Sequence, residues 1–264
     1  MKWHGHNFEM ASSVFITGAS SGLGAALARR YAARGASVGL VARRGEMLKR
    51  LADELGSAAW FRAGDVGDPG FMQQAARDFC AQRGVPEIVV ANAGISVGTH
   101  GAEPEDLAVL ERVLRTNVVG VAATLQPFVA PMCGRGHGTL VGIASMAGWR
   151  GLPGGGAYCA SKSAVITWLE SLRVELRGSG VKVVTICPGY IDTPMTQVNP
   201  YRMPFLLAAD PGARRIARAI DSGRSLAIVP WQMRVASWGL RAAPNWLYDR
   251  LAARAPRKPR NLPI

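Results

Sequence analysis

Short apolar, β-branched runs alternate along this chain with Ala-, Leu- and Arg-rich stretches of helical composition. Residues 14–17, 37–41, 58–63, 87–91, 139–144, 181–187 and 226–229 read as strands. Helices are expected over 22–34, 46–55, within 69–82, and over 104–127, 158–177 and 211–221. A short apolar strand bounded by turn residues has no polar face to turn to water, so it is buried on both sides, as strands of a parallel sheet are. Repeated strand–helix–strand units therefore predict an α/β fold. It is a single doubly wound parallel sheet with helices on both faces and ligands at the carboxyl ends of its strands.

The first strand runs straight into Thr17-Gly18-Ala19-Ser20-Ser21-Gly22-Leu23-Gly24, and a helix follows at once. Glycines let the backbone turn tightly and approach a pyrophosphate, while free N–H groups and the helix dipole favour that anion. One unit later, an acid about 20 residues past the turn would bind the ribose hydroxyls of NAD. This chain has Ala42 there, then Arg43 and Arg44. An arginine pair holds a 2′-phosphate by charge-assisted hydrogen bonds, with Ser20 as a further donor. NADP(H) is thus favoured over NAD(H).

Composition limits the remaining classes. With 48% apolar and 19% charged residues in 264, the chain buries a sizeable core. Cys80, Cys133, Cys159 and Cys187 form no CxxC pair, which fits a reduced, cytoplasmic setting. Residues 1–11 read as an N-terminal extension without a secretory h-region, and Met10 is an alternative start to Met1. His4 and His6 lack companions at ligand spacing, so no metal site is expected. No run of 18 apolar residues is present to span a membrane.

The net charge of +13 is unevenly placed, since residues 201–264 hold 12 basic and 3 acidic residues. Beyond the 12–230 domain, residues 231–264 read as an amphipathic basic extension. Trp231, Val235, Trp238 and Ala242 form one helical stripe, and Trp246, Leu247 and Leu251 form a second patch after Pro244. The stripe packs either on the protein's own body or a partner subunit, or against a membrane surface at its inner, cytoplasmic face. Packing on the body or a partner is the expectation. No nucleic-acid reading motif is present, so nucleic acid is not an expected partner.

Tyr158 and Lys162 stand four apart on a predicted helix and share a face. A nearby ammonium favours the phenolate and lowers the tyrosine pKa toward working pH. Ser145 stands thirteen residues before Tyr158 at the end of a strand, and Asn117 lies in the long helix. Asn92-Ala93-Gly94 follows the fourth strand and Pro188-Gly189-Tyr190-Ile191-Asp192-Thr193 the sixth. In this order the set resembles the short-chain dehydrogenase/reductase family over residues 12–230.

The resemblance implies a Rossmann-type oxidoreductase that moves hydride between nicotinamide and a carbonyl or secondary alcohol. It assigns Tyr158 as acid/base, and Lys162 to the nicotinamide ribose and the Tyr158 pKa. Ser145 goes to the substrate carbonyl, and Asn117 to a water that relays protons to Lys162. It gives Gly18, Ser20, Ser21, Gly22, Leu23 and Gly24 to the cofactor phosphates, and Asp65 and Val66 to the adenine. Asn92, Ala93 and Gly94 are assigned to the cofactor and the central sheet; Pro188, Gly189, Ile191 and Thr193 go to the nicotinamide. It further implies a substrate lid over 190–210, a small-molecule substrate, and a homodimer or homotetramer paired through the helices of Asn117 and Tyr158. Two positions depart from the family pattern. Ala91 replaces the first Asn of an NNAG run, and Ser21 stands where many NADP-preferring members carry a basic residue. An NAD-linked dehydrogenase, or a nucleotide-bound membrane sensor without turnover, are the rival readings.

Overall fold

The computed structural model describes residues 12–260 and Leu262; His4, His6 and Met10 of the N-terminal extension lie outside the described residues. Seven parallel strands form one sheet: β1 Ser13–Thr17, β2 Ser37–Ala42, β3 Ala59–Ala63, β4 Ile88–Ala91, β5 Gly138–Ile143, β6 Val181–Pro188 and, named in chain order, β9 Leu226–Val229. Their spatial order is β3-β2-β1-β4-β5-β6-β9, so the direction of winding reverses between β1 and β4. That reversal opens a crevice at the carboxyl ends of the strands, where a doubly wound sheet binds ligands.

The helices α1 Gly22–Ala32, α2 Gly45–Leu55 and α8 Ala209–Asp221 cover one face of the sheet, and α3 Pro69–Arg83, α5 Gly120–Arg135 and α6 Gly156–Glu175 the other. Strand β1 shows why its residues are apolar without interruption. Val14 and Ile16 enter the core under α1, while Phe15 points the other way, its ring 5.3 Å from Phe79 and 5.1 Å from Phe128. At about 1.5–3 kcal/mol per fully buried large side chain, two such faces hold the central strands.

The long helix differs from expectation. Its first part is α4 Asp106–Leu114; a π-helical turn Arg115–Val119 follows, and α5 then carries on through Pro127 and Pro131 to Arg135. Proline inside a helix costs about 3 kcal/mol, which argues for a stop at Pro127. Buried Val121, Leu125, Phe128 and Met132 along the same helix outweigh that cost, and the helix ends instead at Gly136, left-handed at φ +77°. Asp106–Arg135 is long and apolar enough on average to cross a membrane, although it holds no uninterrupted run of 18 apolar residues, and half of its apolar window is buried in the core.

Residues 190–210 contain elements that periodicity does not reveal. The short strands β7 Ile191–Asp192 and β8 Leu207–Ala208 pair in parallel around α7 Pro194–Gln197. Beyond the sheet lie α9 Gln232–Ala242 and α10 Asn245–Ala252. Of the two packings expected for their apolar stripe, on the body or on a partner subunit, packing on the body is not the one seen. Trp231, Val235 and Trp238 are 68%, 69% and 68% exposed, and Trp246 and Leu251 are 70% and 63% exposed. What holds these helices is other residues: Met233 against Gly189, and the buried Tyr248 and Ala252.

Candidate active site

The Gly-rich turn is built for close approach. Gly18 is left-handed at φ +67°, and a Cβ there would fall 2.7 Å from Cα of Ala93. A Cβ on Gly24 would fall 2.3 Å from the carbonyl oxygen of Gly18. Asn92 sews this turn to β4: its Nδ2 donates to the carbonyls of Thr17 at 3.0 Å and Gly18 at 3.3 Å. The Thr17 hydroxyl in turn accepts from the Asn92 and Ala93 N–H groups at 3.2 and 3.3 Å. At the start of α1, Ser21 makes no side-chain cap and the first turn holds no acid. The N–H groups and the positive end of the helix dipole therefore face the crevice, and the absence of Cβ atoms leaves the space a pyrophosphate needs.

The end of the cleft beside β2 carries the two arginines, both exposed. Arg44 folds back over the turn and donates to Ser20 Oγ at 3.0 Å and Ser21 Oγ at 2.5 Å. Asp65 accepts the Gly67 N–H at 2.8 Å, and buried Val66 forms the wall beside it. The opposite wall is the end of β6 with the segment after it, where Pro188, Gly189, Ile191 and Thr193 line the cleft. Thr193 reaches over the turn, since a Cβ on Gly22 would meet its methyl at 3.1 Å.

The acid/base group lies between these walls. Ser145, at the end of β5, is buried; its hydroxyl accepts the Ala147 N–H at 3.1 Å and is hydrogen-bonded to the Tyr158 side chain. Lys162 is buried and donates to the carbonyl of Ile143 at 2.7 Å, with its Nζ 5.8 Å from the Tyr158 ring centre. Burial pushes Tyr158 up to about 12, the bond to Ser145 pulling the other way, and burial brings Lys162 down to about 8. The sequence reading expected the ammonium to lower Tyr158. Here desolvation dominates both groups, and the ammonium is engaged by a backbone carbonyl.

Asn117 sits fully buried in the π-helical turn, behind the cleft. Its Oδ1 accepts the Ile95 N–H at 2.8 Å, and its Nδ2 donates to the Ile95 carbonyl at 2.9 Å and to Ser161 Oγ at 2.9 Å. Ser161 passes the link to the carbonyl of Tyr158 at 2.7 Å. Its two N–H donors are thus spent on bracing two segments, which leaves its carbonyl oxygens as the groups that could hold a water.

Of the site residues expected from sequence, all but Gly24 and Asn117 line this one cleft; those two shape it from behind. Sequence reasoning missed Ile143, whose carbonyl fixes Lys162, and Gly64 and Thr116, which complete the walls. It also missed the C-terminal tail. Arg150, five residues after Ser145, donates to the Ala243 carbonyl at 2.9 Å and stacks on Tyr248, whose hydroxyl bonds Gly151. Arg241 stacks on Trp149 at 5.2 Å. Further on, the Pro259 carbonyl accepts from Gly98 at 3.0 Å, Lys258 Nζ donates to the Met195 carbonyl at 2.9 Å, and Arg260 Nε bonds buried Asp106 at 3.0 Å. No local signal marks such contacts, because they join segments 63 to 161 residues apart.

A family model described as short chain dehydrogenase matches residues 12–202. The chain belongs to the short-chain dehydrogenase family. It is 38% identical over 92% of its length, and 96% of the relative's, to an uncharacterized oxidoreductase of Myxococcus xanthus. A short-chain dehydrogenase/reductase of Burkholderia phymatum, solved with NAD, superposes with a TM-score of 0.79 at 26% identity, over 95% of this chain and 98% of that one. The closed form of a serine dehydrogenase with NADP+ superposes with a TM-score of 0.73 at 28% identity, over 78% of this chain and 88% of that one. The protein is thus an oxidoreductase of this family with its Rossmann-like sheet, and it acts on the alcohol/carbonyl pair.

Proposed function

We propose that the protein is an NADP(H)-dependent reductase of a small-molecule carbonyl, working reversibly on the matching secondary alcohol. The observation that carries this reading is the convergence of Ser145, Tyr158 and Lys162 on the cleft that begins at the glycine turn. The bound nicotinamide would supply or accept hydride at the carbonyl carbon. Gly18, Ser20, Ser21, Gly22, Leu23 and Gly24 hold its phosphates, Asp65 and Val66 flank the adenine, and Asn92, Ala93 and Gly94 carry the middle of the cleft floor. Pro188, Gly189, Ile191 and Thr193 orient the nicotinamide end. Residues 190–210 close over the substrate within the 12–230 domain.

In this reading Ser145 and Tyr158 both donate to the substrate oxygen and polarise it. Tyr158 then gives up its proton. With its pKa pushed up to about 12, Tyr158 is protonated at neutral pH and is the proton donor that carbonyl reduction needs. Lys162 holds the ribose and supplies positive charge to the phenolate as it forms. Asn117 keeps the helix of Tyr158 and Lys162 in register and relays protons through its backbone. Arg43 and Arg44, in place of an acid after β2, support the phosphate-bearing cofactor. The NAD-linked reading draws on the likeness to the Burkholderia structure that holds NAD.

Copies of the chain pair through the helices of Asn117 and Tyr158, where Leu107, Val119 and Val174 are exposed. A cytoplasmic setting, with contact between residues 231–264 and the inner membrane surface, completes the reading. The direct test is Tyr158→Phe. Turnover of a carbonyl panel should fall ~100-fold or more, while NADPH affinity measured by fluorescence stays within about twofold. Wild-type turnover in that variant would refute the acid/base assignment.

A further inference from the structure

Among the described residues, ten of the sixteen exposed large apolar side chains fall in three neighbouring segments: Leu152, the residues Met195 to Leu206, and Trp231 with α9–α10. At the start of α9 and along α9 and α10, Trp231, Val235, Trp238, Trp246 and Leu251 are each more than 60% exposed. Arginines stand among them. Arg234 lies 5.9 Å from the Trp238 ring, and Arg241, Arg250 and Arg254 are exposed. Residues 231–264 hold seven basic residues and one acid. Apolar patches of this kind on a soluble fold mark an interaction surface.

We infer that this face of α9 and α10 seats on an anionic lipid bilayer, and that it holds the mouth of the catalytic cleft at the lipid surface. Its substrate is then an amphipathic carbonyl or alcohol that partitions into lipid. The substrate part of this inference rests on the oxidoreductase reading above; the docking part does not. Indole rings beside arginines suit the headgroup boundary, where the ring is half apolar and the guanidinium meets lipid phosphate. A second copy suits the face less well. A two-fold interface would set each patch, with Arg234, Arg241, Arg250 and Arg254 against the single acid Asp249, against its own duplicate.

The fold ties this face to the site. Arg150 and Gly151 bind the α9–α10 junction through Ala243 and Tyr248, and they lie on the loop between Ser145 and Tyr158. Met233 of α9 packs on Gly189 of the cleft wall. Lys258 holds the carbonyl of Met195 in the 190–210 segment, where Phe205 and Leu206 are exposed. Seating α9 and α10 on lipid therefore brings the lid and the 150–152 loop to the same surface.

The test uses the full chain and vesicles of phosphatidylcholine with phosphatidylglycerol, or of phosphatidylcholine alone. Co-sedimentation should show ~10-fold or tighter binding to the anionic vesicles, weakened by added salt. A W231S/W238S/W246S variant should lose ~10-fold or more of that binding while keeping its melting temperature and NADPH affinity. The variant should also lose rate on a long-chain methyl ketone carried in anionic vesicles, and none on a short-chain ketone in solution. Equal binding to both vesicles, or none, overturns the docking. Dissociation of a wild-type oligomer in the variant, seen by light scattering, would instead assign the face to a second copy and overturn it too. Equal rates on the vesicle-borne ketone overturn the delivery of substrate from lipid. Vesicle binding without NADPH oxidation on any carbonyl would strike the catalytic reading and leave the docking intact.

Discussion

Lys162 holds the carbonyl of Ile143 at 2.7 Å from inside the core, and so cross-links the helix of Tyr158 to the end of β5, two residues before Ser145. Its buried charge is therefore a cost of folding. Burial lowers its pKa to about 8 from the usual 10.5. Between these values the unfolded chain binds the extra proton, so the penalty is present in full below pH 8 and fades as pH rises toward 10.5. Lys162→Met removes the titrating group. The stability difference between variant and wild type should thus shift in favour of wild type from pH 8 to 10.5, as read by thermal unfolding across that range. In activity, kcat/KM for carbonyl reduction should fall above about pH 8 as the ammonium is lost. A profile flat to pH 10 would remove Lys162 from the titrating step.

Arg44 is already anchored on Ser20 and Ser21, whereas Arg43 only lines the cleft. A phosphate on the adenosine ribose would meet both. Arg44→Ala and Arg43→Ala should each weaken NADPH binding about 10-fold or more and leave NADH within about twofold, since charge-assisted bonds are worth roughly 1.5–3 kcal/mol. Titration of both cofactors checks the ratio. An unchanged preference in the two variants would return the choice to the NAD-linked reading.

Gly24 separates a backbone need from a general preference for glycine. A methyl there would press on the Gly18 carbonyl at 2.3 Å and on Asn92 Nδ2 at 2.6 Å, neither of which is free to move. Gly24→Ala should cost about 1–3 kcal/mol, or several degrees of Tm, and should weaken either cofactor. Gly101→Ala is the control: nothing lies within 4 Å of its Cβ position and its φ is ordinary. A Gly24 variant that melts with the Gly101 variant would contradict the cradle geometry.

Asp106 accepts the His100 N–H at 2.6 Å and the Arg260 guanidinium at 3.0 Å, and the first of these is the main reason its carboxyl is held below the usual range. The carboxylate thus contributes stability above its unfolded pKa and loses it as pH falls through its lowered value. Arg260→Ala should free the tail. Tryptic cleavage after Arg254 and Arg257 should speed up several-fold at neutral pH, with little change in Tm. If the tail is cut no faster than in wild type, Gly98 and Met195 hold it without Arg260.

Much of the fold was legible because its signals are local. Uninterrupted apolar strands such as 14–17 state that both faces are buried, and the glycine turn states where the sheet meets a ligand. The run through Pro127 was not legible, because helix continuation there depends on Phe128 and Met132 reaching a core that only the assembled sheet supplies.

The site divides in the same way. Tyr158 and Lys162 lie one helical turn apart, so spacing alone put them on one face. Their protonation was set by how deeply that face is buried, and desolvation reversed the shift that a bare Tyr–Lys pair suggests. The basic, Trp-bearing end was plain from composition, but what it rests against was not. Amphipathic spacing says that a helix has an apolar side; which side meets the body is decided by the surface it lands on. Here Met233, Tyr248 and the arginine contacts to the 149–151 loop took the body, and the tryptophans were left outside.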